Sequence, residues 1–437
     1  MSSDGKDCGL YWKGTLKKKT FLGIWQTCFC ELQLTEFYIR KTESTAQINK
    51  RIPMNSDTIV NLIETNNGPI LTVQGADNEV IYLKSDNEES IFKWVIALRS
   101  ATFYNASLGI ESFNLLRVIG RGFYGKVTLV SKKDTGEHYA LKTIHKARII
   151  KARKLQIPIT ELNILKKLRH PFIVNLKFAF QSATKFYLGL EYVPGGDLKT
   201  LITRNRESLT PNLIRLYVAE VALALNHMHS VGVLYRDLKP ENLLINNDGH
   251  LKVTDFGLSE DVSVLNYKSS ELCGTAEYVA PEVIKREHYS YEVDWWGLGI
   301  LTYELFFGVT PFFAQTTELM YQRIVSKKPL FPIGADSDVV SFVKSLLKKD
   351  PKKRANFEEL KGKPFWGGLD FEKVANREYV PDFIPLLEGP DDVKYFDEEF
   401  TDEKPCDSPA TPIIGRNAMF TEFDTIEDLG EHWFQQK

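Results

Sequence analysis

The stretch LYRDLKPENLLI, from Leu234 to Ile245, restricts what this chain can fold into more than any other segment. Its two ends are apolar enough for a protein core. Between them stand Arg236, Asp237, Lys239, Glu241 and Asn242. Charge placed inside a core is costly unless it is paired. A fold that accepts this segment must therefore bring partners to it, and a site that uses charge would explain why it is there.

The chain is long enough for two or three domains, at 437 residues, and its net charge of −2 offers no general attraction for nucleic acid. Five cysteines, Cys8, Cys28, Cys30, Cys273 and Cys406, are scattered and include no CxxC pair. They suggest neither a disulfide framework nor a zinc site and fit a reducing compartment. The first residues, MSSDGKDCGLYWKG, lack the apolar run of a signal peptide. No apolar stretch is long enough to span a bilayer; the nearest, GLGILTYELFFGVTPFF, carries Glu304. The expectation is a cytoplasmic protein whose contact with membranes is peripheral.

Short β-rich runs such as TCFCEL, EFYIRK, PILTVQG and EVIYLKS dominate up to Phe103, separated by Gly, Asn and Asp clusters. They predict an antiparallel sheet or barrel. A helical pattern closes this part, in EESIFKWVIALRSATF. More strands are predicted from Phe113 to Val193, interrupted by a helix from Ile157 to Leu168. From about Leu198 to Trp366 the pattern is mostly helical. Beyond Gly367 the chain is Pro-rich and acidic with spaced aromatics, and reads as a tail that wraps another domain. The overall class is α+β and multidomain, with boundaries at 8–103, a linker at 104–112, 113–366 and 367–437.

Several groups suit phosphate chemistry. GRGFYGKV spans Gly120, Arg121, Gly122, Phe123, Tyr124, Gly125, Lys126 and Val127 between strand-like runs. Its glycines allow backbone to approach a phosphate, although a glycine-rich hairpin gives the same pattern. The strand-like KVTLVSKK that follows argues against a dinucleotide fold, which needs a helix there. Lys142 lies in the apolar run YALKTI and needs a partner; Glu161 in the next helix is available, or is a solvated helix residue. Asp255 in VTDFGLSE, with Asn242, makes a hard oxygen set suited to Mg²⁺. Asp237 can accept a hydroxyl proton, and Lys239 can steady a transferring phosphoryl group. Phosphoryl transfer is mainly positioning and electrostatic stabilisation, which answers why the charges gather.

In order and spacing, GRGFYGKV, YALK, YRDLKPEN, DFG and APE (Ala280 to Glu282) resemble the protein-kinase motif set. Lys239 resembles the serine/threonine branch. VDWWGLG with Asp294 and DPKKRA with Arg354 also match, and the family pairs that arginine with Glu282. YRDLKPEN, CGTAEYVAPE and a C-terminal aromatic motif resemble the AGC kinases. KGTLKKK…W and Trp94 are similar to a pleckstrin-homology domain, an order resembling the protein kinase B family. The resemblance implies a barrel plus helix, then a bilobal kinase whose tail wraps the small lobe. It also implies ATP and Mg²⁺ as cofactors. Adenine would lie against the backbone of Glu191 to Val193, between Val127, Ala140 and Leu244, with Phe396 completing the pocket. Phe420 and Phe423 would dock on the small lobe within the chain.

Asp197, Glu241 and Glu304 match the acids that receive upstream arginines in basic-directed members. Alternatively, Glu304 is a buried structural acid and Glu241 serves the catalytic loop. Two regulatory positions depart from the family: Glu271 and Asp424 stand where phosphorylatable residues are usual. The receptor side differs too, with Glu260 for a lysine and Ile157 for a histidine, leaving Arg236. A partly exposed Glu271–Arg236 pair contributes roughly 0.2–1 kcal/mol, so packing must order that loop. Chance acids or an engineered phosphomimetic protein are alternative origins. Ser269 and Ser270 are fallback phosphosites; Ser408 resembles a turn-motif site, with Thr411 second. In the first domain Lys18 matches a phosphoinositide-binding lysine, whereas Gln26 and Cys28 replace two basic residues. Each lost charge-assisted contact costs roughly 1.5–3 kcal/mol. Weak, poorly selective anionic-lipid binding helped by Lys17, Lys19, Arg40 and Lys41 is expected, with a protein-binding role as the alternative. The rival to an enzyme is a pseudokinase scaffold, which predicts damage at Lys142, Asp237, Asn242 or Asp255; none is damaged.

Overall fold

The computed structural model describes residues 11–407, apart from 22, 34, 46, 55–57, 64, 66–67, 76–78, 102–107, 123–124, 153–156, 183 and 264–268. Phe123, Tyr124, Ser408, Phe420, Phe423 and Asp424 therefore lie outside the described residues. No helix among those described is long and apolar enough to cross a membrane.

Seven antiparallel strands form the first unit: β1 (Tyr11–Lys19), β2 (Trp25–Gln33), β3 (Glu36–Arg40), β4 (Ile48–Pro53), β5 (Ile59–Ile63), β6 (Ile70–Gln74) and β7 (Val80–Lys84). Alternation explains the sheet. Phe37 and Ile39 of β3, and Ile81 and Leu83 of β7, turn inward while their neighbours do not. Helix α1 (Glu88–Ala101) covers the apolar face with Ile91, Trp94, Val95 and Leu98, at helical spacing. Trp94 packs edge-on to Trp12, 6.3 Å between ring centres, and lies 5.7 Å from Phe37.

The strand order is β4-β3-β2-β1-β7-β6-β5. The expected barrel is corrected here to an open sheet, since β4 and β5 do not pair among the described residues. Both edges carry outward polar residues, Asn49, Lys50 and Arg51 on one and Asn61 on the other, which suits an unpaired edge.

A second sheet has the order β11-β12-β10-β9-β8. Its strands are β8 (Phe113–Gly122), β9 (Gly125–Lys132), β10 (His138–His145), β11 (Leu176–Gln181) and β12 (Lys185–Glu191). Helices α2 (Lys146–Ala152) and α3 (Ile157–Lys167) join β10 to β11. The glycine segment is the β8–β9 hairpin, with Gly122 opposite Gly125. A side chain at Gly125 would stand 1.6 Å from the Thr143 carbonyl oxygen, so only glycine fits.

The helical lobe contains α4 (Leu198–Arg204), α5 (Pro211–Ser230), α6 (Pro281–Ile284), α7 (Glu292–Phe307), α8 (Thr317–Ser326), α9 (Ser337–Leu346), α10 (Phe357–Lys361) and α11 (Phe371–Ala375). Thr210 caps α5 by accepting the Leu213 amide at 3.1 Å, with Pro211 following. α7 is mostly apolar and is buried on every side from Val293 to Leu305, including Asp294 and Glu304. Two short ladders pack near α5. β13 (Val233–Leu234) pairs with β16 (Glu260–Asp261), and β14 (Leu243–Ile245) pairs with β15 (Leu251–Val253). They hold the loops that carry Asp237, Asn242 and Asp255. A last short helix, α12 (Glu398–Thr401), lies against β8.

Candidate active site

The loop between β13 and β14 begins under strain. Arg236 has φ 71°, a left-handed conformation that is costly for a side-chain-bearing residue. Asp294 of buried α7 holds it there. Its Oδ1 accepts the Arg236 amide at 2.8 Å and its Oδ2 accepts the Tyr235 amide at 3.0 Å. His229 Nε2 lies 2.8 Å from the same Oδ2. The turn that presents Asp237 is thus pinned to the buried helix α7.

Asp237 receives donors on both oxygens. Thr275 Oγ1 donates to Oδ1 at 3.0 Å. Lys239 Nζ donates to Oδ2 at 2.7 Å and Asn242 Nδ2 to the same oxygen at 3.0 Å. Lys239 also donates to Thr275 at 3.1 Å. Sequence reasoning missed Thr275, although its CGT segment was in view; its contact with Asp237 spans 38 positions.

Lys142 sits between two carboxylates. Its Nζ donates to Glu161 Oε1 at 2.6 Å and to Asp255 Oδ1 at 2.7 Å. Burial alone would pull the ammonium pKa down, but Asp255 and Glu161 outweigh it and raise it. Burial raises the Glu161 carboxyl against the pull of Lys142. Asp255 is held below the usual carboxylate range, first by the Lys142 charge and against burial. Its side chain is 46% exposed, and its backbone is left-handed, with φ 58°. The expected Lys142–Glu161 pair is therefore formed.

The other positions expected to face a nucleotide lie in the neighbouring strands and core. Gly120 is opposite Val127 in the hairpin, and Ala140 is opposite Leu190. Ala140 and Val193 are buried, with Val127 and Leu244 packed against the same core. The Glu191 carboxylate is already engaged by Asn175 and by Lys252 at 2.8 Å. The tail reaches the same lobe. Phe396 stacks on Tyr192, with ring centres 6.1 Å apart. Glu403 pairs with Arg121 at 2.5 Å and with Lys126 at 3.5 Å, and Asp407 pairs with Lys185 at 2.6 Å.

Comparison with known proteins agrees with this geometry. The protein kinase domain description matches residues 113–366, and the protein kinase C terminal domain description matches residues 387–424. The chain belongs to the protein kinase family. A RAC family serine/threonine-protein kinase homolog of Dictyostelium discoideum is 40% identical over 336 residues, covering 74% of this chain and 76% of that protein. Human serine/threonine-protein kinase Sgk2 is 40% identical, covering 67% of this chain and 80% of the relative. Yeast YPK2/YKR2 from Saccharomyces cerevisiae is 41% identical over 70% of this chain, but only 45% of its own length is covered. With both kinase descriptions matched, this is a serine/threonine kinase of the AGC group.

The family uses ATP and Mg²⁺, and the donor set of this kinase fits them. Asn242 gives its amide nitrogen to Asp237, so its carbonyl oxygen and the carboxylate of Asp255 would be the protein oxygens that hold Mg²⁺. Mg²⁺ keeps waters and phosphate oxygens, so two protein oxygens suffice.

The three acids matched to substrate are placed differently from one another. Glu241 is exposed. The Asp197 carboxylate caps α4, accepting the Thr200 amide at 2.7 Å, and burial raises its pKa. Glu304 is buried, accepting Lys199 Nζ at 3.1 Å and the Tyr278 hydroxyl. Burial works against the charge on Lys199, yet Glu304, Glu241 and Glu277 raise its pKa. Lys199 and Glu277 were not singled out from sequence, because nothing in GGDLKT marks the lysine as the partner of Glu304, 105 positions away.

Arg236 also meets the activation segment. Its Nη1 donates to Glu260 at 2.8 Å and to Ser269 at 3.1 Å, while Glu271 lies at 3.5 Å. Sequence reasoning paired Arg236 with Glu271; the nearer partner is Glu260, which the β13–β16 ladder sets opposite Leu234. Ser269 is buried and bridged to Tyr289, which removes it as an accessible phosphosite; Ser270 is exposed.

In the first unit Lys18 lines a cleft of about 770 Å³ with Gln26, Cys28, Arg40 and Lys41. Two of the expected helper cations are already paired, Lys17 with Asp86 at 2.6 Å and Arg40 with Glu31 at 2.5 Å.

Proposed function

We propose that this kinase is a protein kinase B-like enzyme that transfers the ATP γ-phosphate to serine or threonine in proteins with upstream basic residues. The Asp237 carboxylate carries the reading: three donors hold it and one acceptor site remains on Oδ1. It accepts the hydroxyl proton of the substrate and orients that oxygen, while Lys239 sets a positive charge beside the transferring group. Lys142, braced by Glu161 and Asp255, points toward the phosphates, beneath the hairpin of Gly120, Gly122 and Gly125. Asn242 and Asp255 would hold Mg²⁺, which neutralises developing charge when bound. The exposed Glu241 and the nearby Glu277 and Glu304 support a basic-directed substrate groove, with Lys199 as the internal cation a substrate arginine would displace.

The rest of the reading extends along the chain. Residues 8–103 act as a pleckstrin-homology-like domain, 104–112 as linker, 113–366 as kinase and 367–437 as a tail wrapping the small lobe. The contacts of Phe396, Glu403 and Asp407 support that wrapping, with Phe420 and Phe423 docking further along. Glu271 and Asp424 supply charge at regulatory positions, with Ser408 as a turn-motif phosphosite. The kinase is cytoplasmic, with peripheral recruitment to anionic membranes through Lys18. Pairing of Lys17 and Arg40 within the domain favours a second reading, in which this domain binds protein and phosphoinositide binding is weak.

A degenerate-peptide screen of the full-length kinase, before and after phosphatase treatment, tests the central part. Selection of upstream arginine with activity retained after treatment is expected. No preference for basic residues would overturn the substrate assignment, and loss of most activity on treatment would overturn the role given to Glu271.

A further inference from the structure

Cys28 and Cys30 are separated by one residue in β2, so both side chains project from the same face of the strand. Their sulfurs are 3.8 Å apart. Cys30 is fully buried, whereas Cys28 is 6% exposed and lines the basic cleft beside Lys18. Both thiols are buried, and Cys28, at the cleft wall, is the less enclosed of the two. The contact with Cys30, in which either thiol can donate, lowers the Cys28 pKa, aided by the Lys18 charge and opposed by burial; the Cys28 thiol also reaches the Leu16 carbonyl at 3.4 Å. The contact with Cys28 and burial raise Cys30. A lowered pKa favours the nucleophilic thiolate.

We propose that Cys28 and Cys30 form a reversible dithiol–disulfide site oxidised by hydroperoxides. The Cys28 thiolate attacks a peroxide oxygen, the O–O bond breaks, hydroxide or alkoxide leaves, and a sulfenic acid forms. The Cys30 sulfur then attacks the Cys28 sulfur. The S–O bond breaks, water leaves with the Cys30 proton, and the S–S bond closes. Two electrons pass from the thiols to the peroxide.

Strand geometry makes the product reversible. Residues two apart in an antiparallel strand have Cα atoms, and parallel Cβ atoms, about 6.8 Å apart, at the far end of the Cα range for disulfides and beyond the roughly 3.5–4.5 Å that their Cβ atoms need. Closure therefore bends β2, and a strained disulfide is readily reduced. Because Lys18 is opposite Gln26 in the same ladder, bending β2 also reshapes the basic cleft.

The test uses reduced full-length kinase titrated with hydrogen peroxide, then alkylated under denaturing conditions and digested. Exposed Cys406 serves as the internal reference. The peptide bearing Cys28 and Cys30 should lose both alkylation sites together and become lighter by two hydrogen atoms, at doses that leave most Cys406 free. Dithiothreitol should restore it. Full alkylation of both thiols after Cys406 is consumed would overturn the proposal. In Cys30→Ser, dimedone should label Cys28; an oxidised but unlabelled Cys28 would count against it. The wild-type measurement does not depend on that variant folding.

Discussion

Replacing Asp237 with asparagine will lower kcat for peptide phosphorylation by about 10²- to 10⁴-fold, with little change in the KM for ATP. Asparagine keeps the shape of the side chain but cannot take a proton. It also presents an NH₂ group where Lys239, Asn242 or Thr275 now donates, so one hydrogen bond becomes a repulsion. The strained turn beneath it is held by backbone amides on Asp294 and is untouched. The loss should therefore fall on the chemical step. Steady-state kinetics on a serine peptide checks this, and an unchanged kcat would contradict the role given to Asp237.

Removing the guanidinium of Arg354 will destabilise the helical lobe by about 3–5 kcal/mol. Arg354 pairs with Glu282 through two bonds, at 2.6 and 3.0 Å, with side chains 0% and 2% exposed. It also donates to the Glu292 carbonyl at 2.6 Å and to the Lys348 carbonyl at 3.1 Å. In Arg354→Ala, Glu282 stays buried without its cation, and two carbonyls lose a donor. The pair joins α6, which follows the activation segment, to the start of α7. Thermal unfolding of the full chain should show Tm lower by about 6–20 °C. A Tm within a degree or so of the parent would mean that water or another cation replaces Arg354.

The parts of this site readable from sequence were those whose chemistry conflicts with their surroundings. Charge in the core-like Leu234–Ile245 and a lysine in YALKTI both demand partners, and Glu161 is indeed the partner of Lys142. Gly125 was singled out as a glycine that lets backbone approach phosphate, whereas the structure makes it obligatory as a strand residue crowded by the Thr143 carbonyl. The missed contacts conflict with nothing local. Thr275 and Lys199 are unremarked polar residues whose partners stand 38 and 105 positions away, across the fold. The Arg236–Glu260 pair depends on a two-residue ladder too short to leave a pattern. The open sheet was misjudged because alternation in β4 and β5 tells which way residues face, not whether two edges meet.

The account depends on Lys142, Asp237, Asn242 and Asp255 working around one nucleotide. Asp255→Ala tests this most directly, because Asp255 is the exposed member that joins Lys142 to the metal side. Transfer of radiolabelled phosphate from ATP to a serine peptide should fall to a small fraction of the parental rate at saturating Mg²⁺. Transfer at the parental rate would contradict the account.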